Sequence, residues 1–136
     1  MPDAPIVRKG PCSACPYRRD VPSGVWADNE YDKLRAYDNE TPYQPHGTFM
    51  CHATPEAICH GWAVVHTSRG QEHDLLALRV MCSLYETEGV DIPEPAVPLF
   101  SSGNEAADHG LADIEHPSLE AQKTVERLQR KHARLR

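Results

Sequence analysis

The sequence predicts a small, mainly α-helical single domain whose loop-rich, cysteine-bearing N-terminal half is stapled by a metal centre. Three observations predict it. Four of the five cysteines fall into two close groups, Cys12-Ser13-Ala14-Cys15 and Cys51 with Cys59. A CxxC turn lets two sulfurs reach one site without backbone strain, and four thiolates saturate a tetrahedral zinc or hold one iron–sulfur cluster. Leu, Ile, Val and Phe together make up about 18% of the 136 residues, below the ~20% where folding without help becomes doubtful. A structural zinc contributes on the order of 10 kcal/mol of apparent binding free energy, comparable with the net stability of a whole domain. Loss of metal is therefore expected to unfold the chain. The third observation is helical periodicity, which is confined to segments beyond residue 27.

Residues 1–27 hold five prolines and little periodicity, so they read as extended loop carrying the first cysteine pair. Asp28 opens a short helix in which Tyr31, Leu34, Arg35 and Asp38 recur at helical spacing, and the turn residues of 41–47 end it. Thr54-Pro55-Glu56 reads as a helix start: Thr54 can cap, Pro55 suits the first helical position and Glu56 favours the positive end of the dipole. That helix is expected over 55–69, with Gly70 as its stop and Ile58, Cys59, Trp62, Val65 and His66 on one sheltered face. A further helix is expected from about 72 to 87, with Leu75, Leu76, Leu78, Cys82 and Tyr85 on its apolar side. Cys82 belongs to that stripe and reads as a small buried hydrophobe, not a fifth ligand. Residues 90–104, with three prolines, resemble a linker or a segment draped over the core. Pro117 starts the last helix, in which Leu119, Val125, Leu128 and Leu135 form a narrow apolar stripe amid charge. The expected organisation is a metal-binding domain over 1–100 followed by a linker and basic C-terminal helix over 101–136.

Charge is asymmetric along the chain. Residues 117–136 carry a net of +4 and the remainder −10, within a total of −6. Arg127, Arg130, Lys131, Arg134 and Arg136 give this end the means to touch nucleic acid, and the same helix could equally lie solvated on the surface or dock a protein partner. There is no 18-residue apolar run and no apolar signal-peptide core at the N-terminus, which predicts a cytoplasmic protein with no membrane association. In a reducing compartment, clustered cysteines favour metal over disulfides, and an odd count of five fits a disulfide framework poorly.

Cys12, Cys15, Cys51 and Cys59 are the expected metal ligands. The identity of the metal divides two arguments. Pro16 follows Cys15 and has no N–H to offer a ligand sulfur, which argues against a zinc knuckle and gives a [4Fe–4S] cluster a slight preference over zinc. Structural zinc is nevertheless the commoner use of four cysteines in a small domain, and His52 or His60 could replace a cysteine. Adjacent residues rarely bind one metal together, so both histidines are expected beside the ligands or exposed.

The residues Cys12-Ser13-Ala14-Cys15-Pro16-Tyr17-Arg18-Arg19-Asp20, with Phe49-Met50-Cys51-His52 and Cys59-His60-Gly61-Trp62, resemble an uncharacterised family from actinobacteria and their phages. Its members carry a CxxCPWRRD opening and later CH and C-x-GW elements; Tyr17 stands where Trp is usual. The resemblance implies an origin in such organisms and no particular activity. Cys12 to Arg18, followed by Gly24-Val25-Trp26, is also similar to the WhiB-like regulators, whose cluster-binding turn reads CxxCPVR. In those proteins the four cysteines lie close around this segment, whereas here two arrive after residue 50.

Catalytic signatures are thin. A thioredoxin-like CxxC needs a strand before it and a helix starting at it, and here Pro11, Pro16 and Pro22 surround the motif. The first cysteine of a haem-attachment CxxCH is absent, as is the His-x-Glu and Pro-Cys-x-x-Cys pairing of zinc deaminases. The expected function is that of a small regulatory protein that binds a host protein, including transcription machinery, through a metal-stapled fold. A zinc-stabilised nucleic-acid-binding module and a redox or metal-dependent enzyme are the alternatives.

Overall fold

A computed structural model describes residues 3–134 and bears out the mainly α reading. The chain folds as α1 (Asp28–Ala36), α2 (His60–Thr67), α3 (Leu76–Leu84), α4 (Gly103–Ala112) and α5 (Leu119–Arg134), with single 3₁₀ turns at Thr41–Tyr43 and Gln71–His73. Extended pairing among the described residues is limited to isolated bridges between Val7 and Ile58, Met50 and Ile58, and Arg18 and Leu99. None of the described helices is long and apolar enough to cross a membrane.

α1 forms where the sequence places it, with Asp28 and Glu30 in its first turn and Lys33 and Arg35 in its last, both matched to the helix dipole. It buries Tyr31 and Leu34. The Tyr31 hydroxyl accepts hydrogen bonds from the Val25 and Trp26 amides, each at 3.1 Å, and so ties α1 to the loop before it. The partner of α1 is α4, whose face of Gly103, Ala106, Ala107 and Gly110 is buried. A Cβ on Gly110 would stand 2.1 Å from the Tyr31 ring, so only glycine permits this approach. Asp38, just past α1, accepts from the Gly103 amide at 2.8 Å and the Asn104 amide at 2.7 Å, fixing the start of α4.

The sequence reading passes over α4. Its signal is present in Ser102-Gly103-Asn104-Glu105, a Ser-x-x-Glu cap in which the Ser102 hydroxyl accepts from the Glu105 amide at 3.0 Å. Residues 90–101 are draped over the core: the Arg19 amide donates to the Pro98 carbonyl and the Phe100 amide to the Tyr17 carbonyl.

Several helix boundaries differ from expectation. Thr54-Pro55-Glu56 does not start a helix. The backbone there is committed to a tight loop and to extended pairing, with Cys51 N–H donating to Ala57 O, Cys59 N–H to Phe49 O, Ile58 N–H to Ile6 O and Arg8 N–H to Ile58 O. α2 therefore begins only at His60, and its cap is the thiol of Cys59, which accepts from the Trp62 amide at 3.5 Å. The helix expected over 72–87 is shorter, because Leu75 is extended and the Leu76 amide is taken by the Gln44 side chain at 3.0 Å. At its far end Glu86 adopts a left-handed φ of 54° and breaks the helix.

The core joins Trp62, Ala63 and Val65 of α2 with Tyr17, Tyr37, Phe49, Ile58, Leu75 and Met81, and the four N-terminal-half cysteines lie inside it. A second, smaller cluster seats α5. Ala121, with Val125 and Leu128, packs against Ala14, Val21, Val25 and Trp26. Of the apolar stripe expected for this helix, Leu119 is exposed and Leu135 lies outside the described residues. The helix begins at Leu119 rather than Pro117, with the Ser118 hydroxyl accepting from the Ala121 amide at 3.1 Å.

A candidate metal centre of four buried thiols

The loop at 51–59 doubles back so that Cys51 and Cys59 sit on its two arms. The CxxC turn, closed by the Cys15 amide donating to the Cys12 carbonyl at 3.1 Å, brings Cys12 and Cys15 to the same place. All four thiols are free and buried, at 5%, 1%, 4% and 4% exposure for Cys12, Cys15, Cys51 and Cys59. They stand as two pairs. The sulfurs of Cys15 and Cys59 are 3.8 Å apart, and Cys12 neighbours Cys51 closely enough for the two to perturb one another's ionisation. Among the described residues no group of three or more His, Cys, Asp and Glu side chains already forms an ion-holding set.

Beside Cys12 the Cys51 thiol is held down to about 5, while its neighbour Cys51 and burial push Cys12 up. In the other pair the S–H of Cys59 holds Cys15 down, while the bond and complete burial raise Cys59. Among the described residues one backbone amide reaches a thiol directly: that of Trp62 donates to the Cys59 sulfur at 3.5 Å. Cys59 adds the positive end of α2, another influence that favours thiolate.

Gly61 is the residue that permits this approach. A Cβ there would meet the Tyr17 Cβ at 2.7 Å and the Cys15 sulfur at 2.9 Å. Sequence reading used Gly61 only as a motif letter, because the contact is between segments 44 residues apart.

A second buried constellation adjoins the thiols. Tyr17 and the Nε2 of His66 are hydrogen-bonded at 2.8 Å, the Nδ1 of His66 lies 3.4 Å from Asp38, and Arg69 reaches the same carboxylate. Burial holds His66 down to about 4, against the opposing pull of Asp38, so the ring is neutral and accepts the Tyr17 hydroxyl proton. This chain ties the CxxC turn to α2, to the end of α1 and to the start of α4. Sequence reading placed His66 on the buried face of its helix and saw none of its partners.

The remaining candidates take defined places. His52 is half-buried, stacks on Trp26 with ring centroids 4.3 Å apart and lies 3.3 Å from Glu30. His60 is buried at 1%, with neither ring nitrogen hydrogen-bonded, and its pKa is lowered by burial and by the Arg8 cation. Cys82 is half-buried and packs against the core from α3. Arg18 pairs through two nitrogens with Asp20 at 2.8 and 2.7 Å and donates to the Cys12 carbonyl. Arg19 spans from Leu99 and Glu105 to the face of Phe100. Arg18 therefore braces the cysteine turn, and Arg19 ties the segment after it to residues 99–105. Lys123, Arg127, Arg130 and Lys131 are exposed on α5; the side chain of Arg134 and the whole of Arg136 lie outside the described residues. A groove of about 300 Å³ between residues 4–9 and 87–93 contains Lys9 and Asp91 but no cysteine, histidine or serine.

Fold and site define a class: a small helical domain assembled around four sheltered thiols. The chain belongs to a family of unknown function, DUF6283, whose model matches residues 7–123. The matched span takes in all four thiols, Gly61, the His66 chain and the first turn of α5. No curated protein and no solved structure matches the sequence.

Proposed function

We propose that this protein is a zinc-stapled binding module, with one metal ion held by Cys12, Cys15, Cys51 and Cys59 in a closed, structural centre. The observation that carries the reading is the 3.8 Å separation of the Cys15 and Cys59 sulfurs, with the Trp62 amide donating to Cys59. Two thiolates on one tetrahedral zinc, each ~2.3 Å from the ion, stand roughly 3.8 Å apart. Thiolates on different irons of a cluster point radially outward and stand farther apart, so the spacing supports zinc over the cluster that Cys-Pro suggests. Four protein ligands leave no open position, and burial of all four sulfurs denies a substrate access; both support a structural rather than a catalytic role. Amide-to-sulfur hydrogen bonds are the outer interactions that fix ligand orientation in such sites.

Zinc and iron analysis with an absorption spectrum, on protein purified without oxygen, tests the assignment. The expected result is a colourless protein with one zinc per chain, lost in Cys51→Ser. A brown sample with iron and labile sulfide would replace zinc with the [4Fe–4S] cluster that the sequence slightly prefers. A protein that takes up neither metal would end the proposal.

A further inference from the structure

We propose that the outward face of α5 binds the phosphodiester backbone of nucleic acid. This rests on the metal reading only for the rigidity of the turn that seats the helix. Ala121, Val125 and Leu128 hold one side of α5 on Ala14, Val21, Val25 and Trp26. Ala14 is itself the residue before Cys15, and its carbonyl accepts from the Trp26 indole at 2.8 Å. The gap left between the cysteine turn and Leu128 and Lys131 is only about 20 Å³. The helix is thus set in one orientation, not tethered loosely.

That orientation turns a row of cations to solvent. At 100° per residue, Lys123, Arg127, Arg130 and Lys131 fall within a sector about 100° wide on the side away from Ala121 and Val125, with Glu120 the one acid inside it. All four are exposed, and none pairs with an acid among the described residues. The row extends roughly 12 Å, at ~1.5 Å of rise per residue. Over such a length a duplex presents about seven phosphates, one per ~1.7 Å. Protein-docking faces are organised around aromatic or aliphatic anchors, and among the described residues the only large exposed apolar side chain near the row is Leu119, at the start of the helix. A membrane-surface helix would need its apolar side free, and that side is already spent on the body of the protein.

The test is fluorescence anisotropy with a labelled 20-base-pair DNA duplex of mixed sequence, its RNA counterpart, and labelled polyglutamate as the acidic-protein probe. Four phosphate contacts give a log–log salt slope near −3.6, hence about a hundredfold loss of affinity between 50 and 200 mM salt. The expected result is binding of one or both duplexes with that slope. It should be abolished in Lys123→Gln/Arg127→Gln/Arg130→Gln/Lys131→Gln, which should keep wild-type metal content and thermal midpoint because all four side chains are exposed. Retention of neither duplex at 50 mM salt, or binding by the fourfold variant equal to wild type, overturns the proposal. Polyglutamate bound in place of both duplexes overturns it too and assigns the face to an acidic protein. Metal content, measured on the same samples, separates failure of this surface from failure of the metal centre.

Discussion

Gly61 and His66 carry much of the site without being able to bind a metal there themselves. Gly61→Ala puts a methyl group where the Tyr17 Cβ and the Cys15 sulfur already stand, so the CxxC turn has to retreat from α2. The expected consequence is a loss of zinc affinity on the order of tenfold or more, read by competition with a chromophoric chelator; an unchanged affinity would show that the turn yields freely. Tyr17→Phe removes the hydroxyl bonded to His66 and leaves a buried nitrogen unpaired, at a cost of about 1–3 kcal/mol in chemical denaturation. His66 also sets a pH dependence. Its folded pKa of about 4 lies below its usual 6.5, so between those values the unfolded chain binds the extra proton. The stability that depends on a neutral ring is complete above about pH 6.5 and is lost as pH falls toward 4, amounting to about 3 kcal/mol. His66→Gln should flatten that part of the pH–stability curve relative to wild type; a curve of unchanged steepness would assign the acid sensitivity to the thiols alone.

At the scale of elements, the helices legible in the sequence are those whose local signals agree with their tertiary use. α1 has both its acidic first turn and its Tyr31–Leu34 spacing, and it forms where expected. The 54–59 segment has an equally good local signal and does not form a helix, because its amides and carbonyls are taken by Phe49, Ile6 and Arg8 in a pairing that local sequence does not encode. α4 fails in the other direction: two glycines and two alanines look weak as a helix, yet smallness is what lets it lie against Tyr31 and Leu34. α5 was read as a narrow stripe amid charge, and it is the fully buried Ala121, invisible to a search for large apolar residues, that lies deepest in its seat. Leu128→Asp places a charge in that seat. It should release α5, detected as faster amide exchange over 119–131 with protection of α1, α2 and α4 retained, whereas uniform loss of protection would mean that α5 is part of the cooperative core.

Over the whole molecule, spacing and composition point to one centre on the four cysteines, and the structure buries all four in one core. The Gly61 approach and the His66–Asp38–Arg69 chain were not legible, since each is made by segments that meet only after folding. The thin apolar content also acquires a physical sense: the principal core is built around sulfur as much as around aliphatic side chains. On the proposed reading such a domain is held together by its metal, because four buried thiols alone supply little of the bonding that four metal–sulfur bonds would provide. The measurement that tests this most directly is titration of zinc into the reduced, metal-free chain, followed by the fluorescence of Trp26 and Trp62. The account predicts an unfolded or molten chain that folds with a sharp break at one equivalent of zinc, and no such transition in Cys51→Ser. A metal-free chain already folded, with both tryptophans indifferent to zinc, would contradict it.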